Sequence, residues 1–322
     1  MLNTDAPAAI PATTQPILRT ENLTRKYGDH LALNNLNLTI HPGEVFAYIG
    51  PNGSGKTTTF RILCGLLDPT SGAAFIDGKD VTGNKDLIKQ LVGYLPDNFG
   101  VYPTLRVWEY LDFFAAAYKI PKKQRAERID TCLRIANADF RDKFMGGLSR
   151  GMKQRVGIAK TLLHDPKVII LDEPAATLDP RARVAMRDLL RDLAKLGKAV
   201  LVSSHILPEL ADVADTVGIV SKGNLIASGP VQEILRNIRQ KRLIEITVLK
   251  FKDQAKEVLA NSPGDWTPVE EDKVTDRMRY EASVDEPQMA QALLALLKRG
   301  IPVTGFAEVQ ADLEDVFMTL TT

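Results

Sequence analysis

The stretch Gly50-Pro51-Asn52-Gly53-Ser54-Gly55-Lys56-Thr57-Thr58 decides the fold of this chain. A strand-like apolar run, Glu44 to Ile49, precedes it, and the apolar residues from Thr57 to Leu67 recur with helical spacing. The glycines let backbone N–H groups turn inward, so these donors and a helix N-terminus converge on one anionic point. Lys56 adds a positive charge there, and the Thr57 hydroxyl is placed to hold Mg²⁺. A tight turn alone would not require these residues, so all nine are predicted to bind a nucleoside triphosphate.

The composition shows no large charge imbalance. The 322 residues suggest about two domains, and 41 Lys and Arg stand against 40 Asp and Glu. A nucleic-acid binder would show a basic surplus, so no nucleic-acid partner is expected. The two cysteines, Cys64 and Cys132, offer neither a disulfide framework nor metal-ligand spacing, which fits a reducing, cytosolic setting.

No segment is predicted to span a membrane. The apolar runs are shorter than the ~18 to 20 residues needed to cross a bilayer. Residues 1–16 are rich in Ala, Pro and Thr and lack a basic start, so we expect a disordered lead and not a signal peptide.

Hydrophobic periodicity divides the next part of the chain into alternating strands and helices. Strands are predicted at 17–23, 31–40, 44–49, 91–95, 167–171, 198–203, 217–220 and 225–228, with a short strand pair within 70–81. Helices are predicted at 57–67, 104–118 with Thr104 as its cap, from Pro121 to Asn137, from Ser149 onward, and at 180–196. The helical residues at about 100–162 interrupt an α/β core and are expected to form a subdomain.

Two predicted strands end in residues suited to phosphate chemistry. Asp172 and Glu173 follow the buried strand that ends at Leu171, and His205 follows the strand that ends at Ser203. Open α/β sheets place ligand chemistry at the carboxyl ends of parallel strands. We expect Asp172 to partner Mg²⁺ with Thr57, Glu173 to be the general base for a water, and His205 to contact the γ-phosphate.

The next helix starts with a good N-cap, Ser149, and with Gly151 close behind it. A helix start of this kind is an anion site, yet the chain already has a phosphate-binding loop elsewhere.

With the loop, the sequence Leu148-Ser149-Arg150-Gly151, the Asp172-Glu173 pair, Thr177-Leu178-Asp179 and His205 in this order, the chain resembles the ATP-binding subunits of ATP-binding cassette (ABC) transporters. The tail Asp312-Leu313-Glu314-Asp315-Val316-Phe317 is similar to the single-cassette exporter ATPases of the "ABC type two" group. The resemblance implies an α/β P-loop cassette at 17–235, with a mixed-sheet core, an antiparallel β subdomain and a helical subdomain.

The same resemblance implies roles for individual residues and names partners. Tyr27 would stack on adenine, Lys56 and the loop would bind the phosphates of ATP, and Thr57 and Asp172 would hold Mg²⁺. Ser149 and Gly151 would contact ATP bound to a second copy of the chain, with Asp179 at the seam of that dimer. The dimer would drive separate transmembrane permease subunits from the cytoplasmic face of the membrane, as a peripheral protein.

Two parts of the sequence depart from the family pattern. Asp97 stands where the family has a glutamine that links the metal to the membrane partner; it could still bind Mg²⁺ through water, while its coupling role is open. Arg150 and Met152 stand where Gly and Gln are commoner, which leaves Ser149 and Gly151 intact and adds a positive charge near phosphate.

After the cassette, residues 240–322 are predicted to form a small α+β accessory domain of ferredoxin-like type. Strands are expected at 243–249, 277–284 and 303–309, and helices at 251–260, 287–298 and 313–320. The alternative, a mere extension of the core, stays open, as does a role in regulation or in dimer stabilisation.

Two other functions compete with transport. A non-transport cassette ATPase acting on ribosomes or DNA would usually carry two cassettes or a long coiled coil, and neither is present in the sequence. A catalytically idle nucleotide sensor is disfavoured by Lys56, Asp172, Glu173 and His205. The cargo, the direction of transport and the membrane partner are not readable from the sequence.

Overall fold

The computed structural model describes residues 15–176, 178–204, 210, 212–234, 242–271 and 277–309. The chain divides into two compact units, residues 1–231 and 232–322, and each is described by itself. Residues 1–14 of the predicted lead at 1–16 lie outside the described residues, as do Thr177, His205 and the predicted helix at 313–320.

A six-stranded mixed sheet forms the centre of the first unit. Its strands, in chain order, are β4 Val45–Ile49, β7 Val92–Leu95, β8 Val168–Leu171, β9 Ala199–Ser204, β10 Thr216–Ser221 and β11 Asn224–Pro230. They lie in the order β11-β10-β4-β9-β8-β7, and all neighbours are parallel except β11 against β10. Every residue of β4, β8 and β9 is buried, as expected for parallel strands covered on both faces.

A second, antiparallel sheet covers part of this core. It consists of β1 Leu18–Tyr27, β2 His30–Leu36, β3 Thr39–Ile40, β5 Ser71–Ile76 and β6 Lys79–Asp80. Helix α1, Lys56–Leu63, follows the loop after β4, and its Phe60 and Leu63 are fully buried in one cluster with residues of both sheets. The predicted antiparallel β subdomain is confirmed.

The predicted helical subdomain is also present. After α2, Lys85–Leu91, and β7, the chain forms α3 Val107–Ala117, α4 Lys122–Ile135, a 3₁₀ turn Met145–Gly147 and α5 Arg150–Leu162. It then returns to the sheet through β8, and α6, Pro180–Lys195, precedes β9. Ser149 is the N-cap of α5 as predicted, since its hydroxyl accepts a hydrogen bond from the Met152 N–H at 3.3 Å.

The second unit has the βαββαβ order of ferredoxin-like domains. Its elements are β12 Arg242–Val248, α7 Lys252–Ala260, β13 Asp265–Glu271, β14 Arg277–Ser283, α8 Glu286–Lys298 and β15 Val303–Val309. The strands form an antiparallel sheet in the order β13-β14-β12-β15, and one buried apolar cluster joins the sheet to both helices. The unit therefore has a core of its own.

Two predicted helix boundaries are wrong. Helix α1 ends at Leu63 and not at Leu67, because Gly65 takes a left-handed conformation at φ 68° and its N–H closes the last turn on the Ile62 carbonyl. Helix α3 begins at Val107 and not at Thr104, because the Glu109 carboxylate accepts the Arg106 N–H at 2.7 Å and fixes the start there.

Two elements were missed by periodicity. Helix α2 is only seven residues long; it starts where the Asn84 side chain accepts the Leu87 N–H at 3.1 Å. Strand β13 lies at the edge of its sheet and contains Pro268, a residue that argues against a strand in sequence-based assignment.

Helix α5 packs closely against β7 at Gly93, so a larger residue there should destabilise the fold. A Cβ atom at Gly93 would lie 2.6 Å from the Thr161 backbone oxygen and 3.0 Å from Pro166 Cγ. We expect Gly93→Ala to lower the free energy of unfolding by about 1 to 3 kcal/mol through overpacking, measured by urea denaturation. Gly147→Ala is the matched control, because no atom lies within 4 Å of its Cβ position. Equal unfolding midpoints for the two variants would contradict this packing.

Candidate active site

The phosphate-binding loop lies between β4 and α1, as predicted. Gly55 caps the start of α1 with φ 107°, a conformation that favours glycine. At Gly50 a Cβ atom would lie 2.3 Å from the Val220 backbone oxygen, so only glycine lets the loop pass this close to β10. Backbone shape thus accounts for two of the glycines. Within the same loop, Asn52, Gly53 and Thr57 are exposed, Pro51, Gly55 and Thr58 are partly exposed, and Ser54 is buried.

The Lys56 side chain crosses the loop. Its Nζ donates to the Gly50 carbonyl at 2.6 Å and to the Pro51 carbonyl at 3.2 Å, and it lies 3.9 Å from Glu173 Oε1. Burial lowers the pKa of Lys56, while Glu173 and Asp172 act in the opposite direction. A buried ammonium group held by carbonyls and a carboxylate gains from an additional anion, which suits it to bind phosphate.

Asp172 joins the loop to the central strands. The Thr57 hydroxyl donates to Asp172 Oδ2 at 3.4 Å, and the Ser203 hydroxyl at the end of β9 donates to Asp172 Oδ1 at 2.7 Å. Asp172 is only 6% exposed, and desolvation raises the pKa of its carboxyl group. The charges of Glu173 and Asp97 raise this pKa further, whereas the hydrogen bond from Ser203 lowers it. The predicted Thr57 and Asp172 pair is therefore in place.

Glu173 has a backbone conformation that few side chains adopt. Its φ is 48°, in the left-handed region, which costs a non-glycine residue about 1 to 2 kcal/mol. The Glu173 N–H donates to Ser203 Oγ at 2.9 Å, so one hydroxyl accepts from Glu173 and donates to Asp172. With this turn, the Glu173 carboxylate lies 3.9 Å from Lys56 Nζ.

The oxygen donors at this edge of the sheet fit Mg²⁺. A hydroxyl and a carboxylate are the hard ligands that this ion prefers, and it is commonly held by one or two carboxylates together with substrate phosphates. Among the described residues, no group of three or more His, Cys, Asp or Glu side chains could hold a metal. Thr57 and Asp172 supply a hydroxyl and a carboxylate, so they fit a metal whose remaining ligands come from a nucleotide.

Asp97 is engaged by other side chains. Its Oδ1 lies 3.6 Å from Arg150 Nη2, and its Oδ2 accepts from the Asn98 amide at 3.1 Å. It is near enough to Asp172 to raise the pKa of that carboxyl. The predicted role as a metal ligand stays a prediction, and the contact with Arg150 was not anticipated.

The remaining predicted residues occupy two other places. Tyr27 ends β1 with 43% of its surface exposed, and the Arg25 guanidinium lies 4.7 Å from its ring centroid. Asp179 caps α6, where its Oδ1 accepts the Ala182 N–H at 2.9 Å. Ser149, Gly151 and Asp179 line one groove between the starts of α5 and α6, apart from the residues around Lys56.

Sequence reasoning missed three residues of the site. Ser203 bridges Asp172 and Glu173, and burial together with the nearby Asp172 carboxylate raises the pKa of Tyr94 on β7. The buried Gln154 amide donates to the Pro174 carbonyl at 3.3 Å, which ties α5 to the loop after β8. Ser203 could have been found, because it ends a predicted strand that lies beside the strand of Asp172 and Glu173. No sequence pattern indicated Tyr94 or Gln154.

The raised pKa of Asp172 predicts a pH-dependent stability. Its folded form holds a proton more tightly than its unfolded form, so stability falls as the pH rises through the folded pKa. We expect Asp172→Asn, without nucleotide or Mg²⁺, to unfold at a higher temperature than the parent at neutral pH. The difference should shrink as the pH is lowered, which calorimetry over a pH series would measure.

Asp165→Asn is the control of opposite sign. A hydrogen bond from Lys198 lowers the pKa of Asp165, so its stabilisation is present above the unfolded pKa and is lost as the pH falls. If Asp172→Asn were the less stable protein at every pH, burial would not be the dominant effect on this carboxylate.

Comparison with known proteins identifies the family. A family model described as ABC transporter matches residues 33–176, and one described as ATP-binding protein DrrA1-3-like, C-terminal domain, matches residues 229–321. Among solved structures, cbiO1 of Clostridium perfringens, part of the ABC transporter complex cbiONQ, is 32% identical with a TM-score of 0.65 over 70% of this chain and 92% of its own. A dimeric post-hydrolysis state of the ATP-binding cassette MJ0796, bound to ADP and Pi, is 28% identical with a TM-score of 0.59, over 66% of this chain and 98% of that one.

Curated relatives extend the similarity to both units. The uncharacterized ABC transporter ATP-binding protein YxlF of Bacillus subtilis is 34% identical over 94% of this chain and 98% of its own length. The Nod factor export ATP-binding protein I of Cupriavidus metallidurans is 32% identical over 95% and 97%. A relative of Nostoc sp., an uncharacterized ABC transporter ATP-binding protein, is 39% identical over 64% of this chain, which spans 62% of that relative. The resemblance noted in the sequence is confirmed, and the chain belongs to the ABC transporter family as one of its ATP-binding, ATP-hydrolysing subunits.

Proposed function

We propose that this chain hydrolyses ATP at the edge of the sheet where β4, β8 and β9 end, and that two copies enclose two ATP molecules to drive separate membrane subunits. The observation that carries the proposal is the convergence of Lys56, Asp172 and Glu173 at this edge, bridged by Ser203. Phosphate-binding, metal-binding and basic groups then act on one phosphoanhydride bond, between the β- and γ-phosphates, as phosphoryl transfer requires.

Each residue has a distinct task in this proposal. Lys56 and the N–H groups of the loop bind the β- and γ-phosphates, and Thr57 and Asp172 hold Mg²⁺, which supplies charge neutralisation when bound. The Glu173 carboxylate lies on the same side as Lys56 and orients a water for attack, accepting its proton. The predicted γ-phosphate contact of His205 remains part of the proposal. The exposed part of the Tyr27 ring is proposed to stack on adenine.

The start of α5 is the proposed contact to ATP on the second copy. Gly151 has room for a Cβ atom, with the nearest neighbours at 3.5 and 3.7 Å, and its φ is not in the left-handed region. Glycine near a helix start costs stability without any gain inside the chain. A phosphate approaching from outside supplies a reason for it. The dimeric MJ0796 cassette offers a precedent for pairing, and Asp179 lines the same groove as Ser149.

A surface formed by α3 and the segment before it is the proposed docking site for the membrane subunits. Tyr102 and Phe113 are 52% and 55% exposed, and their ring centroids lie 6.2 Å apart. Exposed aromatic side chains in contact with each other are typical of interaction surfaces.

None of the helices in the described residues is long and apolar enough to cross a membrane. We therefore place the chain as a peripheral subunit on the cytoplasmic face, and the Nod factor export relative favours an exporter.

Glu173→Gln tests the catalytic assignment. We expect the variant to bind ATP but to turn it over at least about a hundredfold more slowly, since it keeps the shape of the side chain and removes the base. Phosphate release measures the rate, and calorimetry measures the affinity. Lys56→Ala is the companion variant and should lose ATP affinity. Hydrolysis by Glu173→Gln at the parental rate would show that Glu173 is not the base.

A mixing experiment tests whether the second copy completes the site. Ser149→Arg and Lys56→Ala chains are each inactive alone in this account, but their heterodimer retains one site with an intact loop and an intact start of α5. Random pairing should recover up to about one quarter of the parental ATPase activity. Sites built within one chain would give no recovery at any mixing ratio.

A further inference from the structure

Two of the three positions that depart from the family pattern, Asp97 and Arg150, contact each other. Asp97 follows β7, and Arg150 is the first residue of α5; their carboxylate and guanidinium groups lie 3.6 Å apart. The side chains are 44% and 54% exposed, so the pair is only modestly favourable and is accessible to competing ions.

The start of α5 carries more positive charge than a helix start normally does. Its first turn contains no acidic residue, while Arg150 and Lys153 both lie there. The helix dipole adds a further partial positive charge at the same end. Asp97 comes from a different element and neutralises part of this charge. An anion that replaced Asp97 beside Arg150 would therefore be well stabilised.

Asp97 also lies near the predicted metal pair. Its charge reaches Asp172, whose pKa it raises, and Asp172 in turn accepts a hydrogen bond from Thr57. A cation held by Thr57 and Asp172 would attract Asp97 in competition with Arg150. Each member of the pair can thus take another partner: Arg150 can bind an anion, and Asp97 can be attracted to a cation.

We propose that the Asp97–Arg150 pair is an exchangeable ion pair: it holds Arg150 within its own chain, and nucleotide binding transfers Arg150 to the γ-phosphate on a second copy. The inference rests on the proposed ATP-bound dimer and adds Arg150 as a phosphate-binding residue of it. Without the exchange, Asp97 would continue to neutralise part of the positive charge of Arg150. With it, nucleotide in one copy makes that copy a better partner for the other.

Four chains in the Glu173→Gln background test the exchange: the parent, Asp97→Asn, Arg150→Gln and the double variant. Sedimentation velocity measures the ATP concentration at half-maximal dimer formation with Mg²⁺ present. We expect Asp97→Asn to lower that concentration about two- to fivefold when Arg150 is present, because the competing carboxylate charge is gone. In the Arg150→Gln background, Asp97→Asn should produce no such decrease. Equal effects in both backgrounds would overturn the proposal and leave Asp97 acting by itself.

A second measurement does not depend on the dimer. We measure thermal unfolding of the same four chains without nucleotide. At low salt, the stability changes caused by Asp97→Asn and Arg150→Gln should not add up to that of the double variant, and at high salt they should. Absence of coupling at low salt would overturn the ion pair. Asp68→Asn removes a pair with Lys85 of similar length, 3.7 Å, and similar exposure, and should change neither readout. If the parent does not dimerise with ATP while the coupling is present, the proposed dimer fails and the intrachain pair stands.

Discussion

The hydrogen bonds around Asp172 are the constraint on which the site depends. A single hydroxyl, Ser203 Oγ, donates to the carboxylate and accepts from the backbone N–H of Glu173. Desolvation makes this carboxylate costly in the absence of a cation, and Glu173 adds the strain of a left-handed backbone. The buried strands β4, β8 and β9 hold the parts together. These two features destabilise the fold at this edge of the sheet, which is consistent with a site that is organised before its ligand binds.

The helical subdomain meets this edge at two points of different strength. Gln154 is buried and binds the carbonyl of Pro174, whereas Arg150 and Asp97 are half exposed. Buried hydrogen bonds persist, but exposed ion pairs exchange readily with solvent and ions. The start of α5 can thus stay attached to the core while its charged residue changes partner. This arrangement suits a helix that has to contact a second chain.

The sequence carried enough information for the loop, Asp172, Glu173 and the cap at Ser149, because each combines a special residue type with the end of a strongly periodic element. The roles of Ser203 and Tyr94 were not predictable, since they arise only when β7, β8 and β9 lie side by side. The Asp97–Arg150 contact joins the loop after β7 to the start of α5, far apart in the chain, so no local pattern indicated it. Strand β13 was missed because an edge strand tolerates Pro268, and the start of α3 was misplaced because Glu109 caps it from within the helix.

The central claim is that each chain holds only part of a working ATP site. The most direct measurement is the ATPase activity per chain as the unmodified protein is diluted, with the mass of the protein followed by sedimentation at each concentration. The account predicts that activity per chain falls toward zero as the protein becomes monomeric. Constant activity per chain, at concentrations where only monomer is present, would contradict it.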